Sequence, residues 1–290
     1  MARMGHTTIV STEELARHLD DPSWTILDCR HELVDPERGA LDYRQSHIPG
    51  ARFLHLDHDL SAPKTGANGR HPLPDPDRLR KTLEDAGVGD GSQVVAYDAQ
   101  GGIMAARLWC LLRWLGHERA AVLDGGWSRW VAEKRPSTAA VPQARSARLS
   151  RASRPAIVDA EFVLSHLRDP GIALLDARAP DRYRGENETL DPVGGRIPGA
   201  RNRFYRDNLD AGGAFKPAAV LKKEFSALLG DAGTGEIVHY CGSGVSACHN
   251  VLAMEIAGLP SGRLYAGSWS EWCANPARPR ATGEPQKAKR

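Results

Sequence analysis

The sequence predicts an α/β protein built from two tandem domains, each a mainly parallel sheet flanked by helices. Three observations predict it. Four short motifs occur twice in the same order, short β runs alternate with helical patterns through both halves, and 290 residues suit two domains of about 100–200 residues better than one. Ile26-Leu27-Asp28-Cys29-Arg30 returns as Leu174-Leu175-Asp176-Ala177-Arg178, each an apolar run ending in Asp-x-Arg. Ile48-Pro49-Gly50-Ala51-Arg52 returns as Ile197-Pro198-Gly199-Ala200-Arg201, and Val94-Val95-Ala96-Tyr97-Asp98 as Ile237-Val238-His239-Tyr240-Cys241. Gly125-Gly126-Trp127-Ser128-Arg129-Trp130 closes the first copy and Gly267-Ser268-Trp269-Ser270-Glu271-Trp272 the second. Taken singly these are fold devices: Pro-Gly makes a turn, and paired tryptophans fill a core.

In the first half a strand over 7–10 leads into a helix that Ser11 and Glu14 open as a capping box. Short apolar runs give strands over 25–28, 51–54, 94–98 and 120–123. Helices are expected over 77–86, 103–115 and 127–133, and the one over 103–115 is apolar nearly all round, so it lies against the sheet. The second half repeats the plan. A helix near 160–167, strands over 173–176, 237–241 and 263–265, and helices over 218–228, 246–257 and 270–274 are expected, with 251–257 again apolar on all sides. The domains are accordingly placed at 1–136 and 156–290. Between them 137–155 is rich in Ala, Ser, Pro and Arg without apolar periodicity and reads as a linker, while 276–290 reads as a loose basic tail.

Composition narrows the function. With 38 Lys and Arg against 36 Asp and Glu, the formal charge of +2 is too small for the electrostatic footprint of a nucleic-acid binder. No apolar run approaches the ~18–20 residues that cross a bilayer, and Met1-Ala2-Arg3-Met4-Gly5-His6 lacks the apolar stretch of a secretory signal. No nucleic-acid or membrane partner is therefore expected, and the cytoplasm is the expected compartment. Cys29, Cys110, Cys241, Cys248 and Cys273 are odd in number and form no CxxC pair, which argues against a disulfide framework and a zinc knuckle. A cysteine that matters acts alone.

In an open α/β sheet, reactive groups collect where a strand ends and the next helix begins. Cys241 stands there, in Tyr240-Cys241-Gly242-Ser243-Gly244-Val245-Ser246-Ala247. The two glycines let the backbone curl so that successive N–H groups turn toward the sulfur as an anion-binding nest. That nest and the start of the following helix carry partial positive charge and favour thiolate over thiol, which makes the cysteine a nucleophile. The reading requires a thiol that solvent reaches and amides that face it. Cys29, Cys110, Cys248 and Cys273 lack such a loop and read as structural. At the matching place the first copy has Tyr97-Asp98-Ala99-Gln100-Gly101-Gly102, a carboxylate in place of sulfur, so that half is catalytically degenerate and is expected to lend a wall to the cleft. Two other readings compete. A cysteine-dependent phosphatase needs an arginine where Ala247 stands, and a non-catalytic binding module suits Asp98 but not Cys241.

These residues resemble the tandem rhodanese-type sulfurtransferases. Cys241-Gly242-Ser243-Gly244-Val245-Ser246-Ala247 is similar to the CGSGVTA active-site loop of the 3-mercaptopyruvate enzymes, with Ser246 in the Thr position, and the repeated motifs extend the resemblance over nearly the whole chain. It implies a ping-pong reaction. Cys241 attacks a small anionic donor, 3-mercaptopyruvate or thiosulfate, and a thiol or cyanide acceptor removes the outer sulfur of the resulting persulfide. Gly242, Gly244, Val245, Ser246 and Ala247 would bind the anion through their amides, with no metal or organic cofactor.

An anionic donor calls for a cation. Arg182, in Asp181-Arg182-Tyr183-Arg184-Gly185-Glu186, is similar to the family's substrate-binding arginine. The mercaptopyruvate enzymes usually carry a second arginine before the Ile-Pro-Gly turn, but Leu190-Asp191-Pro192-Val193-Gly194-Gly195 has none. Arg196 stands where the family commonly has histidine, and its role as a donor-binding cation in that place is an open question for the structure. Gly69-Arg70-His71-Pro72-Leu73-Pro74 resembles the loop that brings a histidine to the site, with Asp59 as an orienting carboxylate. His71 and Ser243 would then relay a proton to the pyruvate leaving group. The lack of basic residues after the cysteine favours mercaptopyruvate, and the missing second arginine favours thiosulfate.

Overall fold

A computed structural model describes residues 5–143, 147–150, 156–230 and 235–284. The first copy runs β1 (Ile9–Val10), α1 (Thr12–Arg17), β2 (Trp24–Asp28), α2 (Arg38–Gln45), β3 (Arg52–Phe53), α3 (Pro76–Asp85), β4 (Gln93–Tyr97), α4 (Ile103–Trp114), β5 (Ala120–Leu123) and α5 (Gly126–Ala132). Its strands form one sheet in the order β1-β5-β4-β2-β3, and every neighbouring pair is parallel. The second copy repeats it with β6 (Ile157–Val158), α6 (Ala160–Ser165), β7 (Ile172–Asp176), α7 (Pro180–Arg184), β8 (Arg201–Asn202), a 3-10 turn (Tyr205–Asn208), α8 (Ala218–Leu229), β9 (Glu236–Tyr240), α9 (Ser246–Ile256), β10 (Arg263–Tyr265) and α10 (Ser268–Ala274). The order β6-β10-β9-β7-β8 is again fully parallel.

The elements form for local reasons. Ser11 caps α1 by accepting the Glu14 N–H at 3.1 Å, half of the expected capping box, while the Glu14 carboxylate takes Arg17 at 2.7 Å instead of the Ser11 N–H. Helices α4 and α9 are buried over most of their length, which their all-round apolar composition requires. The repeated Asp-x-Arg turns out to be a buried clamp at the end of β2 and of β7. Arg30 grips both oxygens of Asp28 and lies 4.6 Å from the Trp127 ring centre, and Arg178 grips Asp176 and lies 5.0 Å from Trp269. Each strand end is thereby fastened to the tryptophan motif that closes its copy. Removing one partner would strand a buried charge, at a cost of about 3–5 kcal/mol.

The chain divides into two units that do not follow its sequence halves. Met1–Pro63, Leu73–Pro155 and Leu209–Ala218 make the first, and Lys64–Pro72, Ala156–Asn208 and Ala219–Arg290 make the second. Arg70 and His71 therefore belong to the unit of Cys241. The expected linker is not loose where it is described. Thr138 pairs with His47, and Leu149 is buried with its N–H on Glu84, both within the first unit; residues 144–146 and 151–155 lie outside the described residues. The expected loose tail is fastened too. Ala281 pairs with Arg196, and Arg278 donates to the Glu271 carbonyl at 2.8 Å; residues 285–290 lie outside the described residues. No disulfide joins any of the five cysteines. Among the described residues no helix is long and apolar enough to cross a membrane.

Candidate active site

Cys241 follows β9, a strand flanked on both sides by parallel neighbours. The loop after it is shaped by Gly244, whose φ is +78° and where a Cβ would stand 2.2 Å from the Ala266 carbonyl oxygen. Only glycine fits both constraints. The resulting turn aims two amides inward: the N–H groups of Ser243 and Gly244 donate to the Cys241 Sγ at 3.5 and 3.1 Å. Val245, Ser246 and Ala247 then open α9. From the other side the start of α10 holds the loop, with Trp269 N–H on the Cys241 carbonyl and Ser270 N–H on that of Gly242, both at 2.9 Å. Ser268 Oγ accepts the Cys241 N–H at 3.1 Å. The thiol is not open as expected, because Cys241 is only 1% exposed.

The first copy shows what this cradle does with an anion. Asp98 is fully buried, and its carboxylate accepts four backbone N–H groups, from Gln100, Gly102, Met104 and Ala105, at 2.7–3.0 Å. Burial nonetheless pushes its pKa up, against those four bonds. The loops correspond closely: Gly101 (φ +77°) matches Gly244 (φ +78°), and α4 and α9 begin at the same offset. They diverge one residue later, where Gly102 has φ +90° and Val245 φ −92°. In an aspartate the charged oxygens lie two bonds beyond Cβ. The outer sulfur of a cysteine persulfide lies two bonds beyond Cβ as well.

Two guanidinium groups stand over Gly242. A Cβ on that residue would meet Arg70 Nη2 at 2.6 Å and Arg182 Nη1 and Nη2 at 3.6 Å, so glycine here makes room for them. Two buried carboxylates set their positions. Glu188 takes Arg182 Nη2 at 2.8 Å, and Asp191 takes Arg70 Nη1 and lies 3.5 Å from Arg182. Burial pushes Glu188 up, but the Leu190 N–H and Arg182 outweigh it and hold its carboxyl below the ordinary value. For Asp191 burial wins over Arg70, and its pKa is raised. His71 Nδ1 lies 2.8 Å from Ser243 Oγ, and both residues are buried.

Arg70, Glu188 and Asp191 were not among the residues expected at the site. Arg70 stands beside His71 in the stretch quoted for the histidine, and the two acids sit in or next to the stretch that lacks arginine; no local pattern links positions 121 residues apart. Arg196 is occupied elsewhere. Its guanidinium lies 4.6 Å from the Tyr183 ring centre and donates to the Gly283 carbonyl at 2.6 Å, which makes it an anchor for the end of the chain. Asp59 belongs to the other unit, where its carboxylate accepts the His55 N–H at 2.7 Å.

The rhodanese-like domain family matches residues 11–133 and again 159–275, and the chain belongs to that family, with two domains in tandem. It is a sulfurtransferase, as its relatives are. It is 46% identical over 284 residues, 97% of this chain and 100% of the relative, to the probable 3-mercaptopyruvate sulfurtransferase of Pseudomonas aeruginosa. To the putative thiosulfate sulfurtransferase SseB of Mycobacterium tuberculosis it is 36% identical over 282 residues, 95% of this chain and 97% of the relative. Among solved structures it is similar to SseA from Escherichia coli, a 3-mercaptopyruvate sulfotransferase, with TM-score 0.80 and 29% identity over 91% of this chain and 99% of that one.

Proposed function

We propose that the chain takes sulfur from 3-mercaptopyruvate, holds it as a Cys241 persulfide and passes it to a thiol, or to cyanide in assay. The observation that carries this reading is the amide cradle around Sγ, whose counterpart in the first copy already holds an anion of the persulfide's reach on four N–H groups. Fixed amides in a buried site stabilise such a charge without reorganising, and no metal or organic cofactor enters the scheme.

The Cys241 thiolate attacks the donor sulfur. The S–S bond forms, the C–S bond breaks, and the electron pair leaves on carbon as the enolate of pyruvate. That carbon needs a proton, and the Ser243–His71 pair, 2.8 Å apart beside the nucleophile, supports delivery of one through the hydroxyl. Thiosulfate releases sulfite and needs no such step, so the pair favours mercaptopyruvate. The donor carboxylate binds over Gly242 to Arg70 and Arg182, in competition with Asp191. That exchange loosens the ion pair above the loop and uncovers the sulfur. An acceptor thiolate then attacks the outer sulfur, the S–S bond to Cys241 breaks, and the thiolate is regenerated.

The partners on this reading are a small anionic donor and a thiol or cyanide acceptor, with neither nucleic acid nor membrane involved. Five cysteines without a disulfide among them support a reducing compartment, the cytoplasm. The test is turnover with each donor, cyanide as acceptor and thiocyanate measured, together with the intact mass after donor alone. Faster turnover with mercaptopyruvate and one added sulfur, lost in Cys241→Ala, are expected. Faster turnover with thiosulfate would overturn the choice of donor, and an adduct surviving in Cys241→Ala would place the nucleophile elsewhere.

A further inference from the structure

The first unit carries a second group of chemistry-bearing side chains that sulfur transfer does not use. Strands β2 and β3 are parallel neighbours, with Leu27 opposite Arg52 and Asp28 opposite Phe53. Their ends therefore deliver His31 and the run His55-Leu56-Asp57-His58 to one place at the C-terminal edge of the sheet. His31, His55 and Asp57 each offer a donor atom within 4.8 Å of the others, and His31 Nε2 lies 4.0 Å from Asp57 Oδ2. Both histidines are buried, at 3% and 6% exposure, so their rings are already ordered.

The hydrogen bonds of His55 fix its tautomer. A backbone N–H only donates, so the Asp57 N–H at 3.1 Å makes Nδ1 the acceptor. The ring proton is then on Nε2, where it donates to the Pro36 carbonyl at 3.1 Å. Nδ1 is therefore the atom left to bind a metal, in exchange for the Asp57 N–H that it accepts, while the Nε2–H stays held by a carbonyl, the outer-shell arrangement that orients metal-binding histidines. A neighbouring triad of Glu37, His55 and His58 is less suited. Its approach to His55 is at Nε2, which carries the proton, and Glu37 and His58 have side chains 67% and 72% exposed.

We propose that His31, His55 and Asp57 form a binding site for one divalent transition-metal ion, of the zinc, cobalt or nickel class, at the edge of the first unit. Two neutral imidazoles and one carboxylate select such ions over magnesium or calcium, which prefer all-oxygen sets. Ligands around a tetrahedral ion at 2.0–2.2 Å stand about 3.2–3.6 Å apart, so the three close in by about 1 Å; rotation of Asp57, whose side chain is 18% exposed, supplies most of that. Water completes the coordination. The proposal is independent of the sulfur-transfer reading.

The test is titration of the full chain with cobalt(II) under reducing conditions, followed by visible absorption and then by displacement with zinc. One cobalt per chain is expected, with the d–d bands of a nitrogen–oxygen site and no thiolate-to-cobalt band. His31→Gln and Asp57→Asn should each weaken binding by at least about tenfold, while His58→Ala leaves it unchanged. Near-UV circular dichroism and the Cys241 sulfur adduct check that each variant is folded. No saturable binding, a thiolate band, binding unchanged in both triad variants, or loss in His58→Ala would each overturn the assignment.

Discussion

Replacing Ser243 by alanine separates the two things that this residue does. Its backbone N–H, 3.5 Å from the Cys241 Sγ, stays in the cradle, and only the 2.8 Å bond from its hydroxyl to His71 is lost. A positioned proton donor contributes about 10²–10⁴ in rate. Ser243 is 7% exposed, so water does not readily take over, and a loss of about 100-fold, or about 2.7 kcal/mol of barrier, is expected in kcat with mercaptopyruvate. With thiosulfate, where no carbon is protonated, the rate should stay within about threefold, because the proton relay is idle. Pyruvate release in single turnovers reads the first donor and thiocyanate formation the second. If hydroxyl and imidazole act as one relay, Ser243→Ala combined with His71→Gln loses no more than either alone. Equal losses with both donors, or losses that multiply, would refute the relay.

Arg70→Ala should raise the KM for mercaptopyruvate about tenfold, the low end for a charge-assisted bond because the Arg70 side chain is 26% exposed. The same variant should speed alkylation of Cys241 by neutral iodoacetamide; an unchanged alkylation rate would mean that Arg70 does not restrict access. Gly244→Ala forces a Cβ against the Ala266 carbonyl at φ +78°, and thermal unfolding should show a loss of at least about 2 kcal/mol. Burial depresses the pKa of His239 from 6.5 to about 4, so the fold prefers the neutral ring. The unfolded chain takes up that proton first. The stabilisation is therefore complete above about pH 6.5 and is lost as pH falls toward about 4, by up to about 3 kcal/mol. Urea midpoints against pH should show this slope in the wild type and a flatter one in His239→Leu.

Much of the fold was legible because its signals are local. The capping box at Ser11, the all-round apolar runs of α4 and α9 and the apolar strands β4 and β9 each announce themselves within about a dozen residues. Helix α2 did not. It has no side-chain cap, and of its eight residues only Gly39 and Tyr43 are buried, so it lacks an apolar stripe. The two-residue strands β6 and β8 are too short to show any alternation. At the candidate site, the turn of amides facing Cys241 was legible from the glycines around it. Arg70, Glu188 and Asp191 were not, because what joins them is charge pairing across long sequence separations. The tail was misread for a related reason: its polar composition hides backbone pairing with Arg196.

Asp98 also bears on how this enzyme can fail. An aspartate carboxylate and a cysteine sulfinate share one connectivity, two oxygens on the atom attached to Cβ, with the sulfinate pyramidal where the carboxylate is planar. The Ser243 and Gly244 amides that face the Cys241 Sγ would also face a sulfinate formed there by over-oxidation, and sulfinates are not returned by ordinary thiol reductants. Oxidant exposure would then place in the second copy a two-oxygen acid like the one the first copy already carries, and the 1% exposure of the resting Cys241 works against that.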